Sequence, residues 1–561
     1  MSQPDDNTEI ELKLEVAPDD MERLRRHSLV RRTRKGRPHT QPLKSVYFDT
    51  PDFLLFDGGA SLRVRHAGRR RIQNVKARGD GSAGLFSRKE WEHDISGDTP
   101  DPQAILATGL QDLFGRPGVL DELRPLFVTE FKRTTYTLGN GTWEVALTFD
   151  RGAVTADGGS QPISEIELEL VRGDPAHLFE IARALHEAAP LRLSTRSKSE
   201  RGYALLGGGL EQDPVKAPDI PVTADMPLRE AIQTICRSCQ RHLLHNEPAL
   251  RDRKEPEAVH QMRVALRRLR SALSVFRQEV AGAATDSLTA GLKWLTAELG
   301  PARDTDVFIA EILGPVREAH PGEDGLPMLL QRFEKRRGQH YRRAIAAVDS
   351  HRFTDLMLEL GGWIEGGPWL HPASPELAAR LDRPVGGRAA ELLDVAHAKV
   401  LKKGKRFGSL DAASRHRLRV RIKKLRYAAE FFGDLWSDKK TRAYVKTLKE
   451  LQEHLGALND IAVAHDQLHS AVDKDADRRE VWAAGLVAGW HGGRETALLE
   501  AARAEWKSFT DAKPFWPPPA KAAAKAEKAA EQAARASKRA ERADREAAAA
   551  AAAEGGADND D

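Results

Sequence analysis

The chain has 561 residues, 40% of them hydrophobic, with two cysteines and a formal net charge of +4. That length predicts two to four domains with apolar cores, and so few cysteines exclude a disulfide framework. The N-terminus lacks a basic or apolar targeting region, and no uncharged run of about twenty apolar residues occurs. We therefore expect a cytoplasmic protein that does not span a membrane.

The first predicted strand, residues 8–16, is apolar on one face and charged on the other, because side chains alternate across a strand. The apolar face comprises Ile10, Leu12, Leu14 and Val16, and the charged face comprises Glu9, Glu11, Lys13 and Glu15. Like charges on one face repel each other, which favours a ligand such as a divalent cation. The alternative is an edge strand with a solvated face.

Further strands are predicted at 43–49, 60–66, 71–78, 87–95, 128–138, 142–150 and 163–171, with a helix near 174–188. Several of them repeat the charged face: Arg63 and Arg65, Lys76 and Arg78, Arg88 with Glu90 and Glu92, and Glu165 with Glu167 and Glu169. If the sheet closes, these faces line a tunnel while the apolar faces pack outward on helices. Solvated sheet faces are the alternative.

Charges of both signs indicate what such a tunnel would hold. Arginine and lysine match phosphate oxygens, whereas carboxylates repel phosphate unless a hard cation bridges the two. A mixed site therefore favours a metal–polyphosphate complex over a bare anion or a bare metal. The candidate cations are Arg63, Arg65, Lys76, Arg78, Arg88, Arg133, Arg196 and Lys198.

Six motifs follow one another in this part of the chain. They are Glu9-x-Glu11-x-Lys13, Tyr47-Phe48-Asp49-Thr50, Leu62-Arg63-Val64-Arg65, Arg88-Lys89-Glu90-Trp91-Glu92, Glu165-Ile166-Glu167-Leu168-Glu169 and Ser197-Lys198-Ser199-Glu200-Arg201-Gly202-Tyr203. Together, over about residues 3–205, they resemble the CYTH domain, also called the triphosphate tunnel metalloenzymes. The resemblance implies an eight-stranded antiparallel barrel that cleaves or cyclises triphosphates with Mg²⁺ or Mn²⁺ as the cofactor.

Position by position, the resemblance also implies roles for residues of this chain. Metal ligands would be Glu9, Glu11, Asp150, Glu167 and Glu169. The residues that grip phosphate would be Lys13, Arg63, Arg65, Lys76, Arg88, Arg133 and Lys198, while Glu90 and Glu92 would orient metal or water. The sequence around Asp150 and Arg133 leaves their register open, and Tyr47 and Asp49 are interpreted as structural.

A segment rich in Gly, Pro and Asp at 207–224 predicts a linker, and the pattern of 225–511 is helical. Pro- and Gly-rich loops divide this region into about 225–375 and 380–511. Cys236 and Cys239 are interpreted as core residues, with a redox pair or half a zinc site as the alternative. Residues 512–561 are rich in Ala, Lys, Arg and Glu. We expect this tail to be disordered or a marginal helix, and to act as a solubilising extension or an electrostatic arm.

The helical region contains an internal duplication. His260-Gln-Met-Arg263-Val264 aligns with His416-Arg-Leu-Arg419-Val420, and Leu299-Gly300-x-x-Arg303-Asp304 aligns with Leu455-Gly456-x-x-Asn459-Asp460, both at an offset of 156 residues. Steps of three and four place one basic stripe on each copy, although like charges at these spacings cost about 0.2–0.5 kcal/mol per pair. The stripes are His260, Arg263, Arg267 and Arg270, and His416, Arg419, Lys423 and Arg426.

Two such stripes suggest an extended anion between the helices. The alternatives are solvated faces with acidic partners such as Asp304 and Asp460, and histidines that serve only as caps or core residues. No aromatic residues interleave the stripes to stack bases, which disfavours nucleic acid. Over about 222–510 the pattern resembles the CHAD domain, the conserved-histidine α-helical domain. That resemblance implies a basic groove that binds inorganic polyphosphate through the two stripes, with unequal halves because Asn459 replaces the arginine.

We therefore predict a multidomain protein. Its N-terminal part would be an α+β eight-stranded antiparallel tunnel barrel (1–206), followed by a linker and an all-α domain of two pseudo-symmetric helical bundles. The predicted function is metal-dependent hydrolysis of inorganic triphosphate to diphosphate and phosphate, with polyphosphate bound by the helical domain and polyphosphate granules as a candidate location. The alternatives are a class IV adenylate cyclase, a thiamine triphosphatase and a non-catalytic polyphosphate-binding scaffold.

Overall fold

The computed structural model describes residues 8–77, 79, 84–157, 159–207, 213–436, 438–471 and 476–554. Arg78, one of the candidate cations, lies outside these ranges. The N-terminal domain is built on one sheet. Its strands are β1 (Thr8–Val16), β2 (Arg34–Asp49), β3 (Ala60–Ala67), β4 (Arg70–Ala77), β5 (Leu85–Ile95), β6 (Arg124–Gly139), β7 (Glu144–Ala156), β8 (Gly159–Arg172) and β9 (Leu191–Leu193).

The sheet closes into a barrel. Its strand order is β5-β4-β3-β2-β6-β7-β8-β1-β9, and a further antiparallel pairing of β1 with β5 joins the two sides. Eight strands, β1 to β8, therefore form a closed antiparallel ring, and β9 pairs with β1 where β1 leaves that ring. The closed ring confirms the predicted fold class of this domain.

Short helices surround the barrel. They are α1 (Met21–Arg25), α2 (Ser28–Thr33), α3 (Leu54–Asp57), α4 (Pro102–Leu106), α5 (Gln111–Phe114), α6 (Ala176–Ala188) and α7 (Lys198–Leu206), with a 3₁₀ turn at Pro18–Asp20. The apolar face of β1 points outward, because Leu12 and Leu14 are buried in one core with Leu178 and Leu185 of α6. The charged face of β1 consequently points into the barrel, as the alternation of the sequence predicts.

The C-terminal region is helical throughout. Its helices are α8 (Leu228–Arg253), α9 (Pro256–Val275), α10 (Arg277–Val280), α11 (Ala283–Val307), α12 (Gly314–Ala319), α13 (Gly325–Val348), α14 (His351–Gly366), α15 (Pro375–Asp382), α16 (Val385–Gly404), α17 (Ala412–Phe431), α18 (Asp438–Ala471), α19 (Arg478–Gly492), α20 (Glu495–Asp511) and α21 (Pro519–Glu554). A π-helical stretch occupies Phe308–Leu313, and 3₁₀ turns occur at Pro368–Leu370, Phe407–Ser409 and Gly433–Leu435. In the part of the chain that the structure describes, no helix is long and apolar enough to cross a membrane.

The two halves of this region meet where their first helices begin. Pro227 precedes α8 and Pro384 precedes α16, and the two prolines form an isolated antiparallel bridge. Reciprocal backbone hydrogen bonds flank it, from Leu228 to the Arg383 carbonyl (2.9 Å) and from Val385 to the Met226 carbonyl (2.8 Å). The duplication read from the sequence is therefore present as a pseudo-twofold contact.

The two domains pack directly on each other, and the tail packs on the second. Helix α6 of the barrel domain lies against α14, and Arg192 of β9 pairs with Asp349 at 2.7 Å. The sequence left the tail open between disorder and a marginal helix. The structure describes 519–554 as helix α21, whose first turns bury Ala522 and Ala526 against α16.

Candidate functional site

The interior of the barrel is a cavity of about 410 Å³ whose walls are mainly charged. Among the residues that line it are all nine predicted phosphate-gripping or orienting residues and four of the five predicted metal ligands. The lining comprises Thr8, Glu9, Glu11, Lys13, Tyr47, Ser61, Arg63, Arg65, Lys76, Arg88, Glu90, Glu92, Phe131, Arg133, Glu167, Glu169, Ser197, Lys198 and Ser199. The fifth predicted ligand, Asp150, is fully buried behind Arg133.

Lys13 joins the carboxylates of two neighbouring strands. Antiparallel pairing places Lys13 of β1 opposite Glu167 of β8. Its ammonium group contacts the Glu167 carboxylate and lies 2.7 Å from that of Glu11. Burial alone would lower the pKa of Lys13, but the charges of Glu11 and Glu167 outweigh burial and raise it. Lys13 is therefore held as a buried cation.

A second network of ion pairs crosses from β1 to β4 and β5. Lys76 lies 2.6 Å from Glu9 and 2.8 Å from Glu90, and Arg88 contacts both Glu9 and Glu11. Burial would raise the pKa of Glu90, but Lys76 and Arg63 outweigh it and lower that pKa to about 2. Glu90 is accordingly ionised, and Glu9, Glu11 and Glu90 each have a cationic partner in the cavity.

Glu169 differs from the other carboxylates of the tunnel. Among the described residues it makes no salt bridge, and it lies opposite Glu11 across the β1–β8 pair. Burial, together with the negative charges of Glu9 and Glu11, raises the pKa of Glu169 to about 7. Glu9, Glu11 and Glu169 thus converge here, and Glu169 is the one of the three without a salt bridge among the described residues.

A buried acidic cluster lies deeper in the barrel. Carboxylate oxygens of Asp150, Glu165 and Glu167 lie within 4.8 Å of one another, a spacing that could hold a metal ion. Lys198 contacts all three, at 2.8 Å from Asp150 and 3.0 Å from Glu167, and Arg133 pairs with Asp150 at 2.5 Å. Burial alone would raise the pKa of Asp150, but the charges of Lys198 and Arg133 outweigh burial, and the pKa is lowered.

Helix α7 positions Lys198. Ser197 caps the helix and forms a capping box with Glu200, which fixes the first turn. At the other side of α7, Arg201 reaches Glu165 at 3.1 Å. Sequence reasoning placed Glu165 only in a charged strand face and did not single out Arg201. The strand alternation with Glu167 was the available signal for Glu165.

Two arginines of β3, Arg63 and Arg65, also line the cavity. Arg63 donates to the Tyr47 hydroxyl at 3.2 Å, so Tyr47, interpreted as structural, also lines the cavity. Burial and the positive charges of Arg63 and Arg133 lower the pKa of Arg65 to about 10. Asp49 does have a structural role, since it accepts hydrogen bonds from the backbone N–H groups of Leu55 (2.9 Å) and Phe56 (3.0 Å).

The helical domain contains a separate basic groove of about 630 Å³ between its two halves. It brings together six of the eight predicted stripe residues: His260, Arg263, Arg267, His416, Arg419 and Lys423. Asp304 and Asp460 line it too, and Asp304 lies 3.5 Å from Arg263. Burial and the neighbouring Arg419 and Arg267 lower the pKa of Lys423 to about 7. Glu311 and Glu453 also line the groove, so five cationic side chains, counting Arg303, stand with four carboxylates.

The groove does not include the last residue of either stripe. Arg270 reaches the Thr296 hydroxyl at 3.5 Å, and Arg426 pairs with Glu430 and donates to Gln452 at 3.1 Å. His416 Nδ1 donates a hydrogen bond at 2.7 Å to the side-chain oxygen of Asn459, the residue that replaces the arginine of the first copy. Burial and Arg303 lower the pKa of His260 to about 4, so this histidine lies in the groove as a neutral group.

Two family models match the chain. Residues 7–203 match the CYTH domain, and residues 234–469 match the CHAD domain. The chain therefore contains a CYTH domain followed by a CHAD domain, and both resemblances read from the motifs are confirmed.

Individual relatives match one domain each. An inorganic triphosphatase from Haemophilus influenzae is 32% identical over 164 residues, which is 29% of this chain and 46% of that protein. The chain thus matches about half the length of this relative. Among solved structures, the CHAD domain from the plant Ricinus communis is 33% identical, covering 55% of this chain and 99% of that one, with a TM-score of 0.47. A putative adenylyl cyclase from Hippeastrum, described as having a dominant triphosphatase activity, is 21% identical with a TM-score of 0.29, covering 36% and 97%.

Proposed function

We propose that the barrel domain hydrolyses inorganic triphosphate to diphosphate and phosphate with a divalent metal cofactor. The observation that carries the proposal is the mixed charge of the 410 Å³ cavity, whose lining intersperses carboxylates with arginines and lysines. The similarity to an inorganic triphosphatase supports the same reaction class. A bare phosphate site would gain nothing from carboxylates, and a bare metal site would gain nothing from arginines.

The carboxylates fit a hard divalent cation such as Mg²⁺ or Mn²⁺. Burial and the neighbouring Glu9 and Glu11 raise the pKa of Glu169, and a bound cation would relieve the repulsion among these three carboxylates. Asp150, Glu165 and Glu167 could also hold a metal, but all three contact Lys198, whereas Glu169 makes no salt bridge among the described residues. We therefore assign the metal to Glu9, Glu11 and Glu169. When bound, the metal would neutralise phosphate charge and activate water for in-line attack.

The cations of the cavity would bind the phosphate chain. Arg63 and Arg65 of β3 line the cavity. Arginine side chains pair with phosphate oxygens in a bidentate manner. Burial and the neighbouring Arg63 and Arg133 lower the pKa of Arg65, and an incoming anion would stabilise its charge. Lys13, Lys76, Arg88, Arg133 and Lys198 would exchange carboxylate partners for phosphate oxygens and stabilise the leaving group. No serine or cysteine nucleophile is required.

A phosphate-release screen tests the reaction. Purified protein is assayed with inorganic triphosphate, thiamine triphosphate and ATP, with Mg²⁺ and Mn²⁺ in turn. We expect release from inorganic triphosphate that Glu9→Gln or Lys13→Ala abolishes, while Lys35→Ala, which removes an exposed ion pair with Glu144, leaves it intact. Unchanged hydrolysis in Glu9→Gln and Lys13→Ala would contradict the site. A cyclic product from ATP, preference for thiamine triphosphate, or no turnover would support the cyclase, thiamine triphosphatase or scaffold alternative respectively.

We also propose that the helical domain binds inorganic polyphosphate in the groove. The support is the cluster of cations from α9 and α17 in one groove, to which Arg263, Arg267, Arg419 and Lys423 contribute. Binding should weaken with salt through counterion release. Arg263→Ala with Arg419→Ala should weaken long-chain polyphosphate binding, and an equal affinity of this double variant and the unaltered protein would contradict the proposal.

A further inference from the structure

A second basic pocket, of about 110 Å³, lies where α9, α16 and α17 meet. We call it the seam pocket. It shares no lining residue with the groove and is lined by Ser274, Val275, Leu392, Val395, Ala396, Lys399, Arg421 and Lys424. Its cations are Lys399, Arg421 and Lys424, and among the described residues none of the three makes a salt bridge. The lining contains no carboxylate.

The pseudo-twofold relation shows how this pocket arises. Helix α8 corresponds to α16 at an offset of 157 residues, as Pro227 corresponds to Pro384, and α9 corresponds to α17 at 156. The residue equivalent to Lys424 is therefore Arg268, which is 4% exposed and lies over the ring of Phe431. The residue equivalent to Phe431 is Val275, on the wall of the seam pocket. A smaller side chain thus leaves open a space that an aromatic ring fills in the other half.

The other side of the equivalent place is closed as well. Lys399 corresponds to His242, which is buried and lies 3.1 Å from the Val215 carbonyl oxygen of the linker. Arg421 corresponds to Ala265, which is fully buried. In the second half, Lys399 is exposed and Arg421 is half-buried, and the neighbouring Val395 is 50% exposed. The linker and apolar packing therefore occupy one copy, while the other is an open cationic pocket.

The geometry points to a second phosphate site: we propose that the seam pocket binds phosphoryl groups of a polyphosphate chain that continues beyond the groove. Lys424 Nζ lies 3.0 Å from the Ser274 hydroxyl, so an ammonium and a hydroxyl donor stand side by side. Three cations without carboxylate partners suit a phosphate oxygen cluster.

The chain could pass from one site to the other along α17. Lys423 lines the groove and Lys424, the next residue, lines the seam pocket. Arg270, which belongs to neither lining, lies near enough to Lys424 to contribute to the lowering of its pKa, after burial and Arg421. This inference rests on the proposed binding of polyphosphate by the groove, and it extends the same ligand over a second surface.

Lysine footprinting on the full chain tests whether the seam pocket binds polyphosphate. The protein is treated with an amine-acetylating reagent alone, with inorganic phosphate and with long-chain polyphosphate, and each lysine is quantified by mass spectrometry. We expect polyphosphate to protect Lys399 and Lys424, and inorganic phosphate not to, while Lys439 and Lys440, which line neither cavity, react equally throughout. Protection by inorganic phosphate to the same extent would reduce the pocket to a free-anion site, and no protection would overturn the proposal.

A binding measurement provides a second readout. Lys399→Ala with Lys424→Ala should weaken long-chain polyphosphate binding about tenfold and reduce the salt slope by about 1.4 to 1.8, as expected for the loss of two phosphate contacts. Lys439→Ala with Lys440→Ala is the charge-matched control and should bind like the unaltered protein. If the unaltered protein binds no polyphosphate, the proposed function fails. If only the groove variant is weakened, the seam pocket alone is refuted.

Discussion

His186 of the barrel domain and His351 of the helical domain stack face to face, with ring centroids 3.8 Å apart. Each Nε2 lies 3.1 Å from the backbone carbonyl oxygen of the other residue. The Nδ1 of His186 accepts a hydrogen bond from the Leu191 N–H at 3.0 Å, so the proton of the neutral ring must be on Nε2. A second proton on His186 would have to bind Nδ1, where it would point at the Leu191 N–H and break that hydrogen bond. The contact between the domains therefore depends on a neutral His186 ring.

The stability of this contact should therefore depend on pH. Burial lowers the pKa of His186 below the value of about 6.5 expected in the unfolded chain. The unfolded state takes up a proton first, so the contribution of His186 is complete above about pH 6.5 and declines below it, by at most about 1.4 kcal/mol per pH unit. Denaturant unfolding across this range measures the slope. His186→Gln, which can still accept from Leu191, should remove this component, and identical pH profiles of the two proteins would contradict the prediction.

Removing Lys13 should destabilise the barrel domain strongly. Lys13→Met leaves the buried carboxylates of Glu11 and Glu167 without one partner each. Because Arg88 still contacts Glu11, and Arg133 and Lys198 still contact Glu167, we expect a loss of about 2–4 kcal/mol. Lys35→Met is the matched control, since its pair with Glu144 is exposed and should contribute no more than about 1 kcal/mol. Urea unfolding of both variants without metal provides the comparison, and equal losses would contradict the assignment.

Gly202 should not tolerate a side chain. A Cβ at this position of α7 would overlap the ring of Phe127 on β6, so Gly202→Ala must displace α7. We expect a loss of about 1–3 kcal/mol and reduced turnover, because Lys198 is carried by the same helix. Gly207→Ala, where the added atom would meet nothing closer than 3.7 Å, serves as the control. Full activity and stability of Gly202→Ala would show that α7 does not position Lys198.

Polyphosphate binding should weaken as the pH rises through 7. The pKa of Lys423 is about 7 in the free protein, so its ammonium form is depleted above that value. A polyanion favours the charged form, and binding above pH 7 should take up a proton. Calorimetry in buffers of different ionisation enthalpy measures this uptake. Lys423→Arg keeps its charge and should abolish the dependence. Proton uptake that persists in Lys423→Arg would assign the effect to another group.

The barrel could be predicted from the sequence because its strands have a charged face that points into the barrel and an apolar face that points outward. Charged alternation in residues 8–16 and 163–171 placed Glu11 and Glu167 on an inward face, and the outward apolar faces met helices as expected. The register of Arg133 and Asp150 could not be read locally, since it depends on which strands become neighbours. The structure places them opposite each other on β6 and β7.

Roles that depend on contacts between elements distant along the chain could not be predicted from the sequence. Glu165 stood in the same alternation as Glu167, but its contact with Arg201 depends on how α7 closes the barrel. In the helical stripes, periodicity grouped Arg270 and Arg426 with the groove. Helix packing instead directs them to Thr296 and Gln452, because a straight stripe diverges from a groove that the two helices share over part of their length.

The pairing of β1 has a consequence for the order in which the protein folds during synthesis. Residues 8–16 leave the ribosome before their partner strands β5, β8 and β9, the last of which ends at Leu193. Closure of the barrel is thus a late event that joins the beginning of the domain to its end, and it carries a large loop-closure entropy. The same carboxylates that line the cavity are charges on a strand that is without its partners until closure, and such charges disfavour pairing with a wrong strand edge.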